Sequence, residues 1–516
     1  MFCKAYSAVV AGIDAVTVQV ETDVRNGLPA WSLVGTLASE AKEARERVRV
    51  AVENAGFRLP PKRITINLSP ADLRKEGTSF DLAIAVSLLA AFGHLPTECL
   101  EHCLFTGEVS LDGKLNRVPG VLPMACRAVK EGFQRMLVPK GNEYEAEAVA
   151  GIRVYGMETL QEVVSFLKGG CLTVAGSKTE AKESSQHSQM PGGDLSEILG
   201  QETAKRAMTI AAAGGHHLLF VGPPGSGKTA LASRMISILP EMEFEEQLEV
   251  SKIHSVSGML KAGQGLIRHR PFLAPHHTTT ATALAGGGRF SKPGIISRSH
   301  RGVLFLDELP EFKREALETL REPLEDHRIT VARLHGTYCY PASFQLVAAM
   351  NPCPCGNYPD REACRCTPAQ IRNYLGKLSR PILDRIDMMV TVQPVEYRFL
   401  REHIKTEDSE TIRRRVEKAR KWQSLRFSGT GTRLNSEMTK QEIETFCCLG
   451  EEEEALLEQL FTRQEFSTRG YYRILKLART IADLEEKTQI GTAHLMEAAQ
   501  YRNTDRFFYG QTGGIA

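Results

Sequence analysis

Net charge is nearly absent from this sequence, in which 64 lysines and arginines stand against 62 aspartates and glutamates. A uniformly basic surface is therefore excluded, although a basic channel formed by local clusters is not. Long apolar runs are missing as well, because the longest, residues 82–93, contains Ser87 and is too short to cross a bilayer. Residues 1–23 lack the charged-then-apolar pattern of a secretory signal. These absences predict a cytoplasmic protein that does not bind a membrane.

A disulfide framework is not expected in the cytoplasm, so the twelve cysteines are interpreted as thiols or metal ligands. Four of them form two C-x-C pairs separated by eight residues, in a loop that Gly356 can turn. Four thiolates so close together suit the tetrahedral coordination of a structural zinc ion. Free thiols or a redox pair are the alternatives. The predicted zinc ligands are Cys353, Cys355, Cys364 and Cys366.

Composition divides the chain into four segments. Residues 1–168 mix short β-rich runs with helical ones. Residues 169–194 are rich in Gly, Ser, Lys and Glu, which indicates a flexible linker, with an ordered surface loop as the alternative. Residues 195–395 alternate strands with helices, and residues 396–516 are mainly helical. The predicted fold class is α/β, followed by a C-terminal helical domain.

A glycine-rich turn follows the apolar strand candidate 217–221 and precedes a helical segment. It reads G-x-x-x-x-G-K-T, and a strand before it and a helix after it are the context in which this motif binds ATP. Backbone N–H groups would contact the phosphates, Lys228 would bridge the β- and γ-phosphates, and Thr229 would bind magnesium. A chance glycine turn is the alternative. The predicted nucleotide site comprises Gly222, Pro223, Pro224, Gly225, Ser226, Gly227, Lys228, Thr229 and Ala230.

Two further strands end in polar residues. The apolar run 303–306 leads into Asp307 and Glu308, about eighty residues after the lysine. Asp307 would hold magnesium and Glu308 would polarise the attacking water, unless these acids only cap the next helix. Asn351 follows the apolar run 344–350 and could sense the γ-phosphate, whereas a lone asparagine after a strand is more commonly a turn former.

Residues 378–390 contain two arginines that could act on the ATP of a neighbouring subunit. Arg385 is the first choice and Arg380 the second. An arginine in this role stabilises the charge of the transition state, which is worth ~10³–10⁵ in rate in related systems. The alternative is that both arginines pair with nearby acids such as Asp384 and Asp387.

Five sequence blocks, taken together, resemble the AAA+ ATPases of the magnesium-chelatase-like branch, and in particular the ComM/YifB group of competence-related proteins. The blocks are ILGQ at 198–201, GPPGSGKT at 222–229, a long one at 274–312 that contains His276 and His277, FQLVAAMNPCPCG at 344–356, and STRGYYRILKLARTIADL at 467–484. The resemblance implies an AAA+ domain with a parallel sheet at 195–395, including the cysteine loop 353–366, and a helical lid at 396–516. It also implies that Gln201 belongs to the adenine-side wall and that Arg469 is a second sensor contacting the γ-phosphate.

The same resemblance implies a ring, of hexameric form, that moves DNA and drives branch migration during homologous recombination and natural transformation. Its expected partners are single-stranded or branched DNA bound without sequence specificity, further copies of this chain, and recombination proteins. The basic segments 268–300 and 328–340 are the candidate DNA contacts, with subunit packing as the alternative. His276 and His277 have no acid or cysteine adjacent in sequence, which disfavours a metal site. A metal-chelatase-type motor subunit and an AAA+ chaperone without DNA activity are the alternative functions.

Residues 76–81 (EGTSFD) and 107–114 (GEVSLDGK) resemble the peptidase domain of Lon, where a serine–lysine pair performs acyl transfer. Ser79 matches the serine, but the lysine position falls near Leu122 and no lysine follows until Lys130. A hydroxyl without a base stays unactivated. We therefore predict a Lon-like (ChlI-type) fold for residues 1–168 without peptidase activity, and we interpret Ser79 as the N-cap of a helix that begins at Asp81.

Overall fold

The structure is a computed structural model that describes residues 1–36, 38–169, 193–288, 292–333, 336–360, 362–395, 406–464 and 467–502. Most of the predicted linker, residues 170–192, lies outside this part of the chain. The predicted α/β fold class is confirmed, because two mixed or parallel sheets with flanking helices are followed by a helical segment. None of the described helices is long and apolar enough to cross a membrane.

The N-terminal unit is built around a seven-stranded mixed sheet with the strand order β3-β4-β2-β1-β5-β8-β9. The strands of this unit are β1 Phe2–Ala11, β2 Asp14–Arg25, β3 Ala30–Val34, β4 Arg63–Ser69, β5 Cys103–Phe105, β6 Glu108–Val109, β7 Leu115–Asn116, β8 Arg135–Pro139 and β9 Arg153–Met157. Of these, β6 and β7 pair with each other outside the seven-stranded sheet. Its helices are α1 Ser39–Asn54, α2 Asp81–Ala91, α3 Val121–Lys130, α4 Glu143–Glu147 and α5 Leu160–Leu167. Every residue of α2 is buried, because this helix is apolar all round and forms the centre of the unit's core.

Ser79 does not cap α2, contrary to the interpretation from the sequence. The N-cap position belongs to Phe80, and no side chain caps this helix. The Ser79 hydroxyl instead donates a 3.4 Å hydrogen bond to the carbonyl oxygen of Ala8, because the strand β1 runs alongside it. Asp81, the first residue of the helix, is buried against Arg47, whose Nε lies 2.6 Å from the carboxylate.

The second unit contains a five-stranded parallel sheet with the order β11-β14-β17-β10-β18. Its strands are β10 Leu218–Val221, β11 Phe272–Leu273, β14 Val303–Leu306, β17 Gln345–Met350 and β18 Met388–Thr391. Two short hairpins extend from it, formed by β12 Gly286–Gly287 with β13 Lys292–Pro293 and by β15 Arg328–Arg333 with β16 Gly336–Pro341. β10, β14 and β17 are buried along their whole length, as expected for central parallel strands covered on both faces.

Nine described helices surround this sheet and its hairpins: α6 Glu202–Gly214, α7 Lys228–Ile238, α8 Phe244–Val256, α9 Ala281–Ala285, α10 Ile295–Arg298, α11 Arg314–Glu318, α12 Arg321–Asp326, α13 Pro368–Leu375 and α14 Arg380–Leu383. Short 3₁₀ turns lie at Thr97–Leu100, Lys140–Asn142, Leu195–Glu197, Leu309–Glu311 and Asn435–Glu437. The apolar run 303–306 and the hairpin expected within 328–340 are strands in the structure.

The C-terminal helices are α15 Ser409–Arg426, α16 Lys440–Phe446, α17 Glu451–Gln464, α18 Thr468–Leu484 and α19 Thr492–Gln500. They share one hydrophobic core with the parallel sheet, since Ile210 of α6 and Ile481 of α18 belong to the same buried cluster. The helical segment is therefore anchored to the parallel sheet through α6 and is not an independent globule.

Candidate functional site

The predicted phosphate residues meet at the carboxyl edge of the parallel sheet. β10 runs into the glycine-rich turn, β14 into Asp307 and β17 into Asn351. The strands lie in register, with Val221 opposite Met350, and the Gly222 N–H donates to the Met350 carbonyl at 3.2 Å. Because parallel strands end at the same edge, polar residues far apart in sequence converge at one place.

The glycine-rich turn has backbone features that fit phosphate binding. Gly225 and Gly227 have φ values of +76° and +90°, which favour glycine, and a Cβ added at either position would meet nothing within 4 Å. The turn is therefore open on the side where a ligand would lie. A Cβ on Gly222 would come within 2.2 Å of the Val392 carbonyl oxygen, so the turn also packs closely against the end of β18.

The helix α7 begins at Lys228, directly after the turn. N–H groups in its first turn, including that of Ala230, have no intrahelical acceptor and form a positive end suited to an anion. The Ser226 hydroxyl is buried and has no hydrogen-bond partner within the described residues. An orphaned polar atom in such a turn is consistent with a ligand that completes its hydrogen bonds. The residues present thus fit the phosphates of ATP.

Lys228 is held at the centre of the site. Its Nζ donates to the carbonyl oxygens of Gly222 and Pro223 at 2.9 and 2.8 Å and to Oδ1 of Asn351 at 3.2 Å. Burial lowers the pKa of Lys228, while the charges of Asp307 and Glu308 oppose this shift. The ammonium group therefore bonds neutral oxygens that phosphate oxygens could replace, and Asn351 lies within its reach.

Thr229 and Asp307 form the pair expected to hold magnesium. The Thr229 hydroxyl donates to Oδ2 of Asp307 at 2.7 Å, and the Glu308 N–H donates to Oδ1 at 2.9 Å. A hydroxyl and a carboxylate are hard oxygen ligands of the kind that magnesium prefers beside substrate phosphates. The donor set therefore fits the predicted ion.

Glu308 has a partner that the sequence did not reveal. Its carboxylate lies 3.2 Å from Nδ1 of His277, and the rings of His276 and His277 are tilted by 34° to each other with centroids 4.1 Å apart. The absence of an acid next to His277 in sequence was thus misleading, because the fold supplies one from the end of β14. The signal was available in the block 274–312, which contains both histidines and both acids.

Gln201 lies beside the phosphate turn. It occupies the N-cap of α6 with a left-handed φ of +61° and donates its side-chain amide to the Gln393 carbonyl oxygen, just beyond β18. The neighbouring Val392 carbonyl faces Gly222. The segment 198–201 therefore borders the turn where an adenine wall was expected.

The predicted arginines are not at this edge. Arg385 lines a cavity together with His217, Gly302 and Gln345, which lie at the amino ends of β10, β14 and β17. The six residues from His217 to Gly222 span roughly 16 Å of strand, which separates Arg385 from the turn. Arg385 also does not pair with Asp384 or Asp387, because the acid that it contacts is Glu325, at 2.6 Å.

Arg469 contacts the same carboxylate, with its Nη2 3.6 Å from Glu325. It is therefore not brought to the phosphate turn of its own chain, because α18 packs over the amino side of the sheet. A contact between Arg469 and a γ-phosphate, as expected from the resemblance, would have to involve another copy of the chain. Arg380 begins α14 and is exposed.

The four cysteine sulfurs cluster as predicted from their spacing. All lie within 4.8 Å of one another, and Cys353, Cys355 and Cys364 are separated by 3.3, 3.7 and 3.6 Å. A tetrahedron with zinc–sulfur bonds of about 2.3 Å has sulfur–sulfur edges of about 3.8 Å, so this donor set fits zinc. The loop also packs closely against the phosphate turn, because a Cβ added at Gly356 would lie 2.3 Å from Pro224.

Comparison with known proteins gives matches along most of the chain. Residues 194–400 match the family described as magnesium chelatase, subunit ChlI; residues 20–142 match subunit ChlI of Mg-chelatase; and residues 406–502 match the ChlI C-terminal family. The chain is 43% identical to the competence protein ComM of Haemophilus influenzae and to the protein YifB of Escherichia coli, over 96% of each chain. Identity to the magnesium-chelatase 67 kDa subunit of Chlorobaculum parvum is 25%, over 40% of this chain and 27% of that one.

A parallel sheet whose carboxyl edge carries a glycine-rich turn, a lysine, a magnesium-type Thr–Asp pair and a neighbouring glutamate defines a P-loop ATPase of the AAA+ class. The similarity over almost the whole length then identifies the branch. The chain belongs to the ComM/YifB family of magnesium-chelatase-like AAA+ ATPases, which confirms the family predicted from the motifs.

Proposed function

We propose that this chain is the subunit of a ring-shaped, hexameric, ATP-driven motor that moves single-stranded or branched DNA in the cytoplasm. Its task would be branch migration in homologous recombination and natural transformation. Two supports are the similarity to a competence protein over 96% of the chain and the DNA-motor character of the family that the motifs resemble. The proposal of a ring is supported by the positions of Lys228 and Arg385, which lie at opposite edges of the same sheet.

Hydrolysis at the carboxyl edge would use the residues already described. Lys228 and the N–H groups of the turn bind the phosphates, and Asn351 lies within hydrogen-bond distance of the lysine. Glu308 orients the attacking water, with His277 fixing its carboxylate. Magnesium, when held by Thr229 and Asp307, neutralises phosphate charge.

The amino edge would supply the remaining charge to a neighbouring copy. Arg385 and Arg469 converge on the two oxygens of the Glu325 carboxylate, at 2.6 and 3.6 Å. Because both arginines contact one carboxylate, they could bind a phosphate group in its place. In a ring, this edge of one copy would face the phosphate turn of the next. A complete site would therefore require two chains, and ATP would promote assembly.

DNA contacts would come from the two hairpins. Arg328 begins β15, and the exposed Lys292 begins β13. The hairpin tips, residues 289–291 and 334–335, which include Arg289 and His335, lie outside the described residues. Lysines and arginines on such hairpins grip phosphates without reading bases, so binding should weaken steeply as salt rises.

The test is the steady-state ATPase rate with and without single-stranded, duplex and four-way-junction DNA, together with strand displacement on the junction. We expect branched or single-stranded DNA to stimulate hydrolysis severalfold. We also expect strands of the junction to be displaced only when ATP is hydrolysed. Lys228→Ala, which removes the phosphate-binding lysine, is the matched inactive control. An ATPase rate that no DNA changes would contradict the DNA role.

A metal-chelatase-type motor subunit is the second candidate, because all three matching family models bear the magnesium-chelatase name. The similarity to the chelatase subunit itself covers only 40% of this chain, whereas that to ComM covers 96%. An active ATPase without any response to DNA would favour this candidate or a chaperone.

A further inference from the structure

A second concave site lies at the amino edge of the parallel sheet, on the side opposite the phosphate turn. It is a cavity of about 400 Å³, within the range of small-molecule sites. The starts of β10, β14 and β17 form one wall, and α15, α18 and the segment 433–438 form the other. The cavity therefore lies between the ATPase sheet and the C-terminal helices, in a space too small for a nucleic-acid duplex.

Cationic side chains dominate the walls of this cavity. The acids on its walls are Glu246, Glu325, Asp387 and Glu437. The cations, apart from the more exposed Arg433, are Arg270, Arg301, Arg385, Arg420, Arg473 and Lys476. This excess of positive charge is local, because the whole chain is almost neutral.

Four of these cations have carboxylate partners. Arg270 pairs with Glu246 at 2.9 Å and Arg301 with Glu249 at 3.1 Å. Arg385 pairs with Glu325 at 2.6 Å and Arg473 with Asp387 at 3.4 Å. Their charges are therefore compensated within the chain.

The remaining two cations, Arg420 of α15 and Lys476 of α18, are different. Arg420 donates Nε and Nη2 to the Ala212 carbonyl oxygen at 3.0 and 2.7 Å, and Lys476 donates to the Ser436 carbonyl oxygen at 2.8 Å. Among the described residues, neither forms an ion pair within 4.0 Å. Burial lowers the pKa of Arg420 to about 9 and also lowers that of Lys476.

The nearby acid Glu437 is already engaged. Its carboxylate accepts the N–H groups of Arg433 and Leu434 at 3.0 and 3.3 Å. Charges withdrawn from water without a counter-charge are costly, and an anion in the cavity would remove that cost. Arg420 keeps further N–H donors for such an anion, because only two of its five are used by Ala212.

We propose that this cavity binds a phosphate-class anion, either inorganic phosphate or the phosphate group of a nucleotide. The anion would contact Arg420 and Lys476 of the C-terminal helices and Arg270 of the ATPase unit, and would thereby tie the two together. This site is separate from the catalytic turn of its own chain, although Arg385 lines it and also belongs to the edge proposed to face a neighbouring copy. It does not depend on a DNA role for the protein.

The test uses the full chain carrying Lys228→Ala, so that binding at the catalytic turn is weakened. Equilibrium dialysis with ³²P-labelled inorganic phosphate should show one site per chain, and adding Arg420→Gln or Lys476→Gln should raise its Kd at least tenfold. Arg414→Gln, on the exposed face of the same helix, is the matched control and should leave the Kd unchanged. Circular dichroism and thermal unfolding would verify that each variant is folded.

A competition arm distinguishes the two sources of phosphate. If ADP displaces the labelled phosphate at a lower concentration than unlabelled phosphate does, and Arg420→Gln abolishes this displacement, the cavity is a nucleotide site. If only unlabelled phosphate displaces the label, the cavity is a site for the free anion. Equal phosphate binding by folded Arg420→Gln, Lys476→Gln and parent chains would overturn the proposal. So would a change in self-association without a change in phosphate binding, because carboxylates of another copy would then fill the cavity.

Discussion

Glu308, the proposed catalytic glutamate, is held by its backbone and by one neighbouring side chain. Glu308 has a left-handed φ of +51°, a conformation that non-glycine residues adopt rarely and that must be supported by the surrounding structure. The His277 ring lies 3.2 Å from its carboxylate. His277 is thus a positioning residue, since it contacts the glutamate that would orient water and not the phosphates.

We expect His277→Ala to lower kcat for ATP hydrolysis by about tenfold, the value of a modest charge-assisted hydrogen bond. The KM for ATP should change little, because the contacts of Lys228 remain. His277→Asn, which keeps a hydrogen-bond donor, should recover part of the rate. Steady-state kinetics with Glu308→Gln as the fully impaired reference would measure this, and an effect confined to KM would contradict the positioning role.

At this scale, the sequence predicts residues that form contiguous motifs and misses partners that only the fold supplies. Lys228, Thr229 and the acids after β14 follow from strand–turn patterns whose chemistry requires those residue types. His277 and Glu325 were not assigned, because their partners Glu308 and Arg385 are distant along the chain. Periodicity and spacing carry no information about which loops meet at a sheet edge.

Among the elements, β10 depends on a histidine that must stay neutral. His217 precedes this strand, is buried, and accepts the Leu346 N–H on Nδ1 at 3.1 Å. Burial lowers the pKa of His217 to about 4. A proton on Nδ1 would remove the acceptor that joins β10 to β17, so the structure opposes protonation.

Because the pKa of His217 is lowered in the folded chain, acidic pH should lower the free energy of unfolding. Above about pH 6.5 the histidine is neutral in folded and unfolded chains, and stability is unaffected. As pH falls from 6.5 towards 4, only the unfolded chain gains the proton, and the free energy of unfolding should fall by about 2 kcal/mol at pH 5. Urea unfolding at pH 7 and pH 5 would show this loss, and His217→Asn should make it smaller by about 2 kcal/mol. A remainder is expected, because burial also lowers the pKa of His254 and of His300. The exposed His269→Asn is the control, and an equal loss in His217→Asn would contradict the assignment.

The cysteine loop is an element whose stability would depend on a metal. It begins two residues after Asn351 and packs on Pro224 through Gly356, so its conformation should affect the nucleotide site. We expect about one zinc ion per purified chain, loss of that ion in Cys364→Ser, and a fall in ATPase rate of about tenfold because the loop loses its cross-link. Elemental analysis and kinetics would test this. The exposed Cys339→Ser is the control, and metal-free protein with an unaffected Cys364→Ser variant would disprove the zinc site.

The elements themselves were largely predictable from apolar runs. The strands at 303–306 and 344–350 and the hairpin within 328–340 correspond to observed elements within about a residue. The described residues after 408 are mainly helical, as expected. Their arrangement was not, because the order β11-β14-β17-β10-β18 is determined by crossovers and not by local pattern. The position of α18 on the amino side of the sheet also depends on packing against α6, which a single sequence does not show.

For the whole molecule, the parallel sheet separates the phosphate-turn residues from the two arginines that we propose act on a neighbouring copy. The carboxyl edge holds nucleotide ligands, and the amino edge holds Arg385 and Arg469 on Glu325. A closed ring of identical subunits brings unlike edges together at every interface. Under the proposed function, a single chain would therefore bind ATP yet hydrolyse it slowly, and turnover would require assembly.

Mixed rings can test this division directly. Arg385→Ala should retain ATP binding, because it leaves the phosphate turn intact, but should lose hydrolysis by ~10³-fold or more. Lys228→Ala should be inactive for the opposite reason. When the two inactive variants are mixed in equal amounts, an intact turn from one meets an intact arginine from the other, and random assembly should restore about a quarter of the parent rate per chain. The control is a mixture of Arg414→Ala with Lys228→Ala, in which only the Lys228→Ala chains are inactive. It measures how far dilution with inactive chains alone lowers the rate. If the mixture of inactive variants remains inactive although both still assemble, Arg385 does not act on its neighbour.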